Sequence, residues 1–173
     1  MGNVRQIKYY SISQYPGTTG QYYYNYFFDR CNIDAIYIPL GCQPPEFENT
    51  VDRLLADLLT RGISVSMPYK RSIVDYVSLN YGTHHDSVTE YDLCNTVLTD
   101  PCLTSYNCDL AGVIKVSENI STDSTISILG DGAMGKMFYQ YLTTHKYSNV
   151  TVYSRGKDNW QCRNESADVI INC

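Results

Sequence analysis

The segment "TISILGDGAMGK", residues 125–136, decides how the C-terminal part of the chain folds. Its first five residues predict a buried strand, and three glycines then fit the pattern G-x-G-x-x-G. The helix-like "MFYQYLTTHK" and the strand-like "NVTVYSR" and "ADVIIN" follow. Because the glycine turn follows a strand and opens a helix, the segment predicts a β-α-β unit with one further strand.

The three glycines have separate physical roles in such a turn. Gly130 allows the tight turn, Gly132 lets a pyrophosphate approach the backbone, and Gly135 lets the helix pack closely against the strand. Ala133 and Met134 lie where the helix begins, and the N–H groups and positive dipole end of a helix attract phosphates there. The turn therefore predicts a dinucleotide site of the Rossmann type, and a purely structural turn is the alternative.

The end of the next predicted strand indicates which dinucleotide would bind. NAD sites usually place an acidic residue there, which binds the ribose 2′-hydroxyl. Here the strand ends in Ser154, Arg155, Gly156 and Lys157, and a hydroxyl with two cations suits the 2′-phosphate of NADP. We therefore expect NADP as the cofactor. Asp158, which comes next, is the observation against NADP, and a solvated basic turn is the alternative interpretation.

The first two thirds of the chain alternate strand-like and helix-like segments, which is typical of parallel β-α-β units in an α/β sheet. The predicted strands are "IKYYSIS" (7–13), "DAIYIPL" (34–40), "ISVSM" (63–67), "CNTVL" (94–98) and "LTSYNC" (103–108). The sequence thus predicts an α/β substrate domain over residues 1–112. An abbreviated Rossmann-type nucleotide-binding unit is predicted over residues 113–173, with the polar "SENISTDST" as a linker near its start.

Three helices are predicted between the strands of the first domain. The clearest is "EFENTVDRLLADLLTRG" (46–62), which Gly62 ends and which carries one apolar stripe of Val51, Leu54, Leu55, Leu58 and Leu59. The second is "RSIVDYVSLN" (71–80), and the third is the aromatic "QYYYNYFFDRCNI" (21–33). We interpret the tyrosines of the third helix as a packed face, with a binding platform as the alternative.

Composition restricts the classes of partner and of compartment. The chain has 173 residues, of which 43% are hydrophobic, and its net charge of -5 argues against nucleic acid or an anionic membrane as the main partner. No apolar run approaches the roughly 18 residues of a membrane span, and "MGNVRQIKYY" lacks the apolar core of a signal peptide. A cytoplasmic protein is expected. The cysteines and histidines show no metal-ligand spacing, so no metal site is expected.

Three motifs carry a resemblance to a known family. "GISVSMPYK" (62–70) is similar to the Gly-x-Asn-Val-Thr-x-Pro-His/Tyr-Lys stretch of shikimate dehydrogenases. "CNTVL" resembles their Asn-Thr-Val/Leu strand, and "YNCDLAG" (106–112) resembles their Tyr-Asn-Thr-Asp-Gly-x-Gly. The glycine turn, the Ser-Arg tip and "ADVIIN" follow in the family's order, so the resemblance to the shikimate dehydrogenase family extends over nearly the whole chain.

The resemblance implies a set of site residues. It makes Lys70 and Asp109 the catalytic pair, and it makes Ser66 and Asn95 substrate-binding residues. It also aligns Thr18 with a serine that holds the substrate carboxylate. An ammonium group beside a carbonyl oxygen stabilises developing negative charge and donates a proton, as ketone reduction by a nicotinamide requires. Taken alone, Lys70 would be interpreted as an exposed lysine at a helix start.

The chain departs from the family pattern at several positions. Ser64 stands where the family usually has Asn, and Gly20 stands where it has a second carboxylate-binding serine. The sequence also stops at "ADVIINC", where the family usually continues into more of the sheet and further helices. We therefore expect a C-terminally shortened relative. The alternatives are a naturally short protein, a fragment, or a chain whose site a homodimer or a complementing second chain completes.

The implied function is that of an NADP-dependent oxidoreductase. It would interconvert 3-dehydroshikimate and shikimate, or a closely related cyclic hydroxy-acid, through proton chemistry at Lys70 and Asp109. One alternative is an enzyme of the same family acting on quinate or an aminated analogue. The other is a non-catalytic ligand-binding or regulatory relative. The expected partner is a small-molecule substrate, a cyclic hydroxy-acid, with neither nucleic acid nor membrane as a partner.

Overall fold

The computed structural model of the chain describes residues 6–163 and 166–173. The expectation drawn from "MGNVRQIKYY" rests in part on residues 1–5, which lie outside the described residues. The chain divides into two compact units, Met1–Asn107 and Cys108–Cys173. Each unit has its own sheet, so the two are described separately below.

The first unit contains a five-stranded sheet of the order β2-β1-β3-β4-β5. Strands β1 (Ile7–Ser13), β2 (Ala35–Gly41) and β3 (Thr60–Val65) are mutually parallel. Strand β4 (Thr96–Leu98) runs antiparallel to β3, and β5 (Thr104–Tyr106) runs antiparallel to β4. The helices are α1 (Thr19–Arg30), α2 (Phe47–Ala56), α3 (Ser72–Asn80) and the short α4 (Asp86–Thr89). The predicted α/β fold class is confirmed.

Both faces of this sheet bury apolar side chains, because successive residues of a strand point to opposite sides. Ile12 of β1 and Ile63 of β3 belong to the main hydrophobic core, which also contains side chains of α2 and α3. Tyr9 of β1 and Tyr37 of β2 belong to a smaller cluster with Phe28 of α1. The sheet is therefore the middle layer between α1 and the other two helices.

The aromatic helix α1 is mostly exposed, so its interpretation as a packed face is wrong for most of the run. Among the residues of α1 only Phe28 is buried, and more than half of the surface is exposed for Tyr22, Tyr23, Tyr26 and Phe27. Tyr24 stacks on Tyr37 with the ring centroids 4.6 Å apart. Consecutive aromatic residues point all around a helix, so only those on the sheet side can be covered by the sheet.

Helix α2 ends at Ala56 and not at the predicted stop, Gly62, which lies inside β3. Asp57 has an extended backbone, and its carboxylate accepts a hydrogen bond from the backbone N–H of Leu59 (3.0 Å). The same carboxylate pairs with Nζ of Lys8 in β1 (2.7 Å). These contacts of Asp57 replace the hydrogen bonds of a further helical turn, so the helix ends and the chain continues into β3.

The second unit contains a three-stranded parallel sheet of the order β7-β6-β8. It begins with α5 (Asp109–Ser117), a helix that the sequence analysis missed, and continues with β6 (Ile126–Leu129), α6 (Ala133–Thr144), β7 (Val150–Tyr153) and β8 (Val169–Asn172). The predicted β-α-β unit with one further strand is confirmed. Within the described residues, no helix of either unit has the length and apolar character needed to cross a bilayer.

The early end of α2 gives a stability prediction. Leu54 lies inside α2 and is 8% exposed, whereas Leu58 lies past its end and is 80% exposed. Leu54→Ala should lower the free energy of unfolding by about 2–5 kcal/mol, because it removes buried methyl groups and leaves a cavity. Leu58→Ala should change it by no more than about 0.5 kcal/mol. Urea denaturation followed by far-ultraviolet circular dichroism measures both, and equal losses would contradict the observed end of α2.

Candidate functional site

In the first unit, the candidate site lies at the carboxyl ends of β1 and β3. The chain passes from β1 to its neighbour on one side, β2, and then to its neighbour on the other side, β3, and such a reversal opens a crevice beyond the strand ends. Ser66 follows β3, and its backbone N–H donates to the carbonyl of Ile12 in β1 (2.9 Å). The N–H of Gln14 donates to the carbonyl of Met67 (3.2 Å), which ties the two strand ends together.

Backbone hydrogen bonds place Asn95 and Lys70 beside the same strand end. The carbonyl of Asn95 accepts from the N–H of Val65, the last residue of β3 (2.7 Å). The carbonyl of Lys70 accepts from the N–H of Cys94 (2.9 Å), one residue before Asn95. Both residues are half-buried. One network of backbone hydrogen bonds thus holds three of the predicted site residues, Ser66, Lys70 and Asn95, beside the same strand end.

Tyr69 anchors the turn that carries Lys70, and the sequence analysis did not single it out. Its buried ring stacks on Phe47 with the centroids 4.6 Å apart, and its hydroxyl donates a short hydrogen bond to the carbonyl of Cys42. Burial raises the pKa of the Tyr69 phenol, so the hydroxyl stays protonated as a donor. The available signal was the position of an aromatic side chain directly before the lysine of "GISVSMPYK".

Thr18 lies just before α1 and is exposed. It lines a shallow groove along α1 together with Gln21, Tyr22, Asn25, Tyr26 and Asp29. Neither Ser66 nor Asn95 lines that groove. The substrate-carboxylate contact assigned to Thr18 therefore stays a prediction.

In the second unit, the glycine turn lies at the carboxyl end of β6, between β7 and β8. Gly130 has a φ of 116°, and a Cβ at this position would lie 2.4 Å from the carbonyl oxygen of Cys173. A Cβ on Gly135 would lie 2.0 Å from the carbonyl oxygen of Gly130. These two positions require glycine because no side chain fits. At Gly132 nothing lies within 4 Å of a Cβ, so the space in front of this residue is open.

The open space at Gly132 lies at the N-terminus of α6. Gly132 is the N-cap residue and has no side chain to cap the helix, and its carbonyl accepts from the N–H of Lys136 (3.0 Å). Ala133 and Met134 lie in the first turn of α6. A phosphate group fits this position, because the N–H groups at a helix N-terminus and the helix dipole favour negative charge.

The residues after β7 form a tip that Asn159 holds in place. The side-chain amide of Asn159 donates to the carbonyl of Val152 (2.7 Å), and its oxygen accepts from the N–H of Ser154 (3.4 Å). The guanidinium of Arg155 lies 5.6 Å from the centroid of the Trp160 ring, in a cation–π contact. The sequence predicted Ser154 and Arg155 as site residues, but an asparagine in the following loop gave no signal of its supporting contact.

Asp131, between the first two glycines of the turn, binds the same tip. Nζ of Lys157 lies 3.8 Å from Oδ2 of its carboxylate. The hydrogen bond from Ser154 and the charges of Lys157 and Lys136 hold the pKa of Asp131 below its ordinary value. An acid thus reaches the tip although none ends β7, and the sequence at the end of β7 gives no signal of it.

Asp109 is the first residue of α5 in the second unit, where it is half-buried. A carboxylate in the first turn of a helix interacts favourably with the helix dipole, so this position also has a structural explanation. Lys70 belongs to the first unit, and the catalytic pairing of these two residues stays a prediction.

A family model matches the part of the chain that contains the first site. The model for the shikimate dehydrogenase substrate binding domain matches residues 19–97. This part of the chain is similar to that domain of shikimate dehydrogenases. The match contains Ser66, Lys70 and Asn95, so the family resemblance of "GISVSMPYK" is confirmed. Thr18 lies one residue before the match, and Asp109 lies after it.

Curated relatives carry names from the same family. A shikimate dehydrogenase-like protein of Haemophilus influenzae is 24% identical over 178 residues, which cover 94% of this chain and 63% of the relative. A shikimate dehydrogenase (NADP(+)) of Methanothermobacter thermautotrophicus is 26% identical over 135 residues, which cover 76% of this chain and 46% of the relative. The matched region therefore spans less than two thirds of the length of either relative.

Solved shikimate dehydrogenase structures have a similar fold. Shikimate dehydrogenase 1 from Peptoclostridium difficile superposes with a TM-score of 0.80 at 18% identity, covering 97% of this chain and 66% of that chain. The enzyme from Thermotoga maritima gives a TM-score of 0.71 at 20% identity, covering 96% and 62%. The predicted α/β fold is thus confirmed.

The close approach at Gly135 gives a prediction with an internal control. Gly135→Ala should lower the stability of the second unit by about 1–3 kcal/mol, because the added methyl meets the Gly130 carbonyl and cannot be accommodated without a shift. Gly112 also lies in a helix but has nothing within 4 Å of a Cβ, so Gly112→Ala should stabilise by about 0.4–1 kcal/mol. Thermal unfolding followed by the fluorescence of Trp160 measures both. Opposite signs are expected, and a loss of similar size in both variants would refute the packing role of Gly135.

Proposed function

We propose that this chain is an NADP-dependent oxidoreductase that interconverts 3-dehydroshikimate and shikimate, or a closely related cyclic hydroxy-acid. The observation that carries the proposal is the placement of Ser66, Lys70 and Asn95 at one sheet edge, inside the segment that matches the family model. Relatives from Methanothermobacter thermautotrophicus and Clostridium perfringens are named shikimate dehydrogenase (NADP(+)), which supports the substrate and the cofactor.

The proposed chemistry assigns Lys70 to the proton at oxygen. NADPH, when bound, supplies the hydride for the carbonyl carbon. The ammonium of Lys70 stabilises negative charge on the carbonyl oxygen and donates a proton to it, and in the reverse direction the neutral amine accepts the hydroxyl proton. Asp109 is proposed to orient Lys70, although a carboxylate partner also favours the charged ammonium. The anchoring of Tyr69 supports this role, because an immobile backbone reduces misplacement of the reacting group.

Substrate binding is assigned to polar side chains of the first unit. The hydroxyl of Ser66 and the amide of Asn95 are proposed to hydrogen-bond ring hydroxyls of the substrate. Thr18 is proposed to bind the substrate carboxylate. Ser64 and Gly20 differ from the family pattern, so the proposed substrate class is a cyclic hydroxy-acid, which includes shikimate, quinate and aminated analogues.

The cofactor is assigned to the second unit. Gly130, Gly132 and Gly135 form the turn, and the open space before Gly132 at the start of α6 supports a pyrophosphate position beside Ala133 and Met134. The tip residues Ser154, Arg155 and Lys157 are proposed to bind the 2′-phosphate, since their hydroxyl and cations are ligands of phosphate oxygens.

Replacement of Lys70 tests the catalytic assignment. Lys70→Ala should lower kcat by about two to four orders of magnitude, the usual contribution of a general acid, without changing the unfolding midpoint. Lys115→Ala is the matched control, because Lys115 of α5 is 79% exposed and pairs with Glu118, the residue after the helix. Nicotinamide absorbance with NADP and shikimate, then with quinate, measures turnover. Unchanged turnover in Lys70→Ala would remove the proposed mechanism.

The same assay separates the remaining possibilities. Nucleotide binding without turnover by the unmodified chain would favour a non-catalytic relative. A specific rate that rises with protein concentration would favour a homodimer, and a rate that appears only after addition of another chain would favour complementation.

A substitution at Gly132 tests the pyrophosphate position. Gly132→Val should weaken NADPH binding by at least about tenfold, because its side chain would occupy the space in front of α6, where no atom of the described residues lies within 4 Å of a Cβ. Stability should change little for the same reason. Calorimetric titration with NADPH and thermal unfolding measure the two effects. Unchanged affinity would exclude this turn as the phosphate site.

A further inference from the structure

We propose that Asp131 determines cofactor selectivity, because its carboxylate competes with the 2′-phosphate of NADP for Ser154 and Lys157 and so allows NAD to bind with comparable affinity. This inference rests on the proposed function, in which the glycine turn and the tip after β7 bind a dinucleotide. It adds a residue that the family motif leaves unspecified, the first residue between the glycines of "GDGAMG".

The fold places Asp131 beside the tip through strand pairing. β6 and β7 are parallel, with Leu129 opposite Tyr153, so the turn after β6 and the tip after β7 begin side by side. The N–H of Gly130 donates to the carbonyl of Tyr153 (2.8 Å), which continues the pairing into the turn. Asp131 is the next residue, and its carboxylate therefore faces the residues that follow Tyr153.

The carboxylate of Asp131 already occupies the groups assigned to the 2′-phosphate. Nζ of Lys157 lies 3.8 Å from its Oδ2, and the side chain of Ser154 is the first cause of the lowered pKa of this carboxyl group. Arg155 lies instead over the ring of Trp160, at 5.6 Å. A 2′-phosphate must therefore share or displace these contacts, whereas a ribose 2′-hydroxyl can donate a hydrogen bond to the same carboxylate.

Charge makes this competition unfavourable to NADP. Asp131 has a lowered pKa, caused first by the hydrogen bond from Ser154, so it is ionised at neutral pH. A phosphate monoester carries about −1.5 to −2 charge at neutral pH, and two like charges about 4 Å apart repel even in water. In NAD enzymes an acid at the end of the second strand has this effect. Here the acid comes from the glycine turn and reaches the same place.

The test compares NADPH and NADH binding to the full chain. Asp131→Asn removes the charge but keeps an oxygen that can accept from Ser154, so the turn should fold as before. The ratio of the NADH to the NADPH dissociation constant should rise about tenfold in this variant, the order of effect expected for one nearby charge in a solvated site. Asp123→Asn is the control, because Asp123 lies in the exposed turn after α5, and it should leave the ratio unchanged.

Fluorescence of Trp160, the single tryptophan, reports binding, and calorimetry confirms it independently of the optical signal. Asp131→Ser is a second variant that also removes the charge, and it should shift the ratio in the same direction. If the ratio of dissociation constants stays within about twofold in both variants, or falls, Asp131 does not determine selectivity. That result would leave the proposed nucleotide site itself standing. If neither nucleotide binds the unmodified chain, the nucleotide site of the proposed function fails together with this inference.

Discussion

A central parallel strand with neighbours on both sides is the constraint on which both candidate sites depend. In the first unit β1 lies between β2 and β3, and in the second unit β6 lies between β7 and β8. The chain passes from the central strand to a neighbour on one side and later to a neighbour on the other side. The connections therefore leave the sheet in opposite directions and open a crevice at the carboxyl ends of the strands. Backbone pairing of the strands therefore brings the polar residues at these strand ends together. The short motifs after the strands can act as site residues for this reason.

The strands and the glycine turn were predictable because their signals are local. Apolar runs bounded by turns specify β1 and β6, and a φ of 116° with no room for a side chain explains Gly130. The end of α2 was not predictable from its stripe, since Leu58 continues the apolar periodicity while Asp57 binds Lys8 of β1. Helix α5 was missed because Gly112 in its middle has low helix propensity, and burial of Val113 compensates in the folded unit.

The candidate site was predictable to the extent that it follows the family motif. Ser66, Lys70 and Asn95 come from quoted motifs, and backbone hydrogen bonds hold them at one strand end. The groups that support them were not predictable, because Tyr69 depends on a ring and a carbonyl that lie far from it in sequence. The contact of Asp131 with the tip was not predictable for a related reason. It arises from strand pairing, and reading the end of one strand at a time cannot detect it.

The second unit separates the residues that stabilise the turn from those that choose the ligand. A side chain at Gly130 or Gly135 would collide with backbone atoms of the fold, so a substitution at either position mainly lowers stability. Gly132 faces open space and the side chains of Arg155 and Lys157 are exposed, so changes at these positions alter ligand affinity at little cost to folding, whereas Ser154 is buried. Selectivity between cofactors can therefore change through a charge such as that of Asp131 while the glycine pattern stays the same. It follows that the glycine pattern alone identifies a dinucleotide site but does not specify which dinucleotide binds.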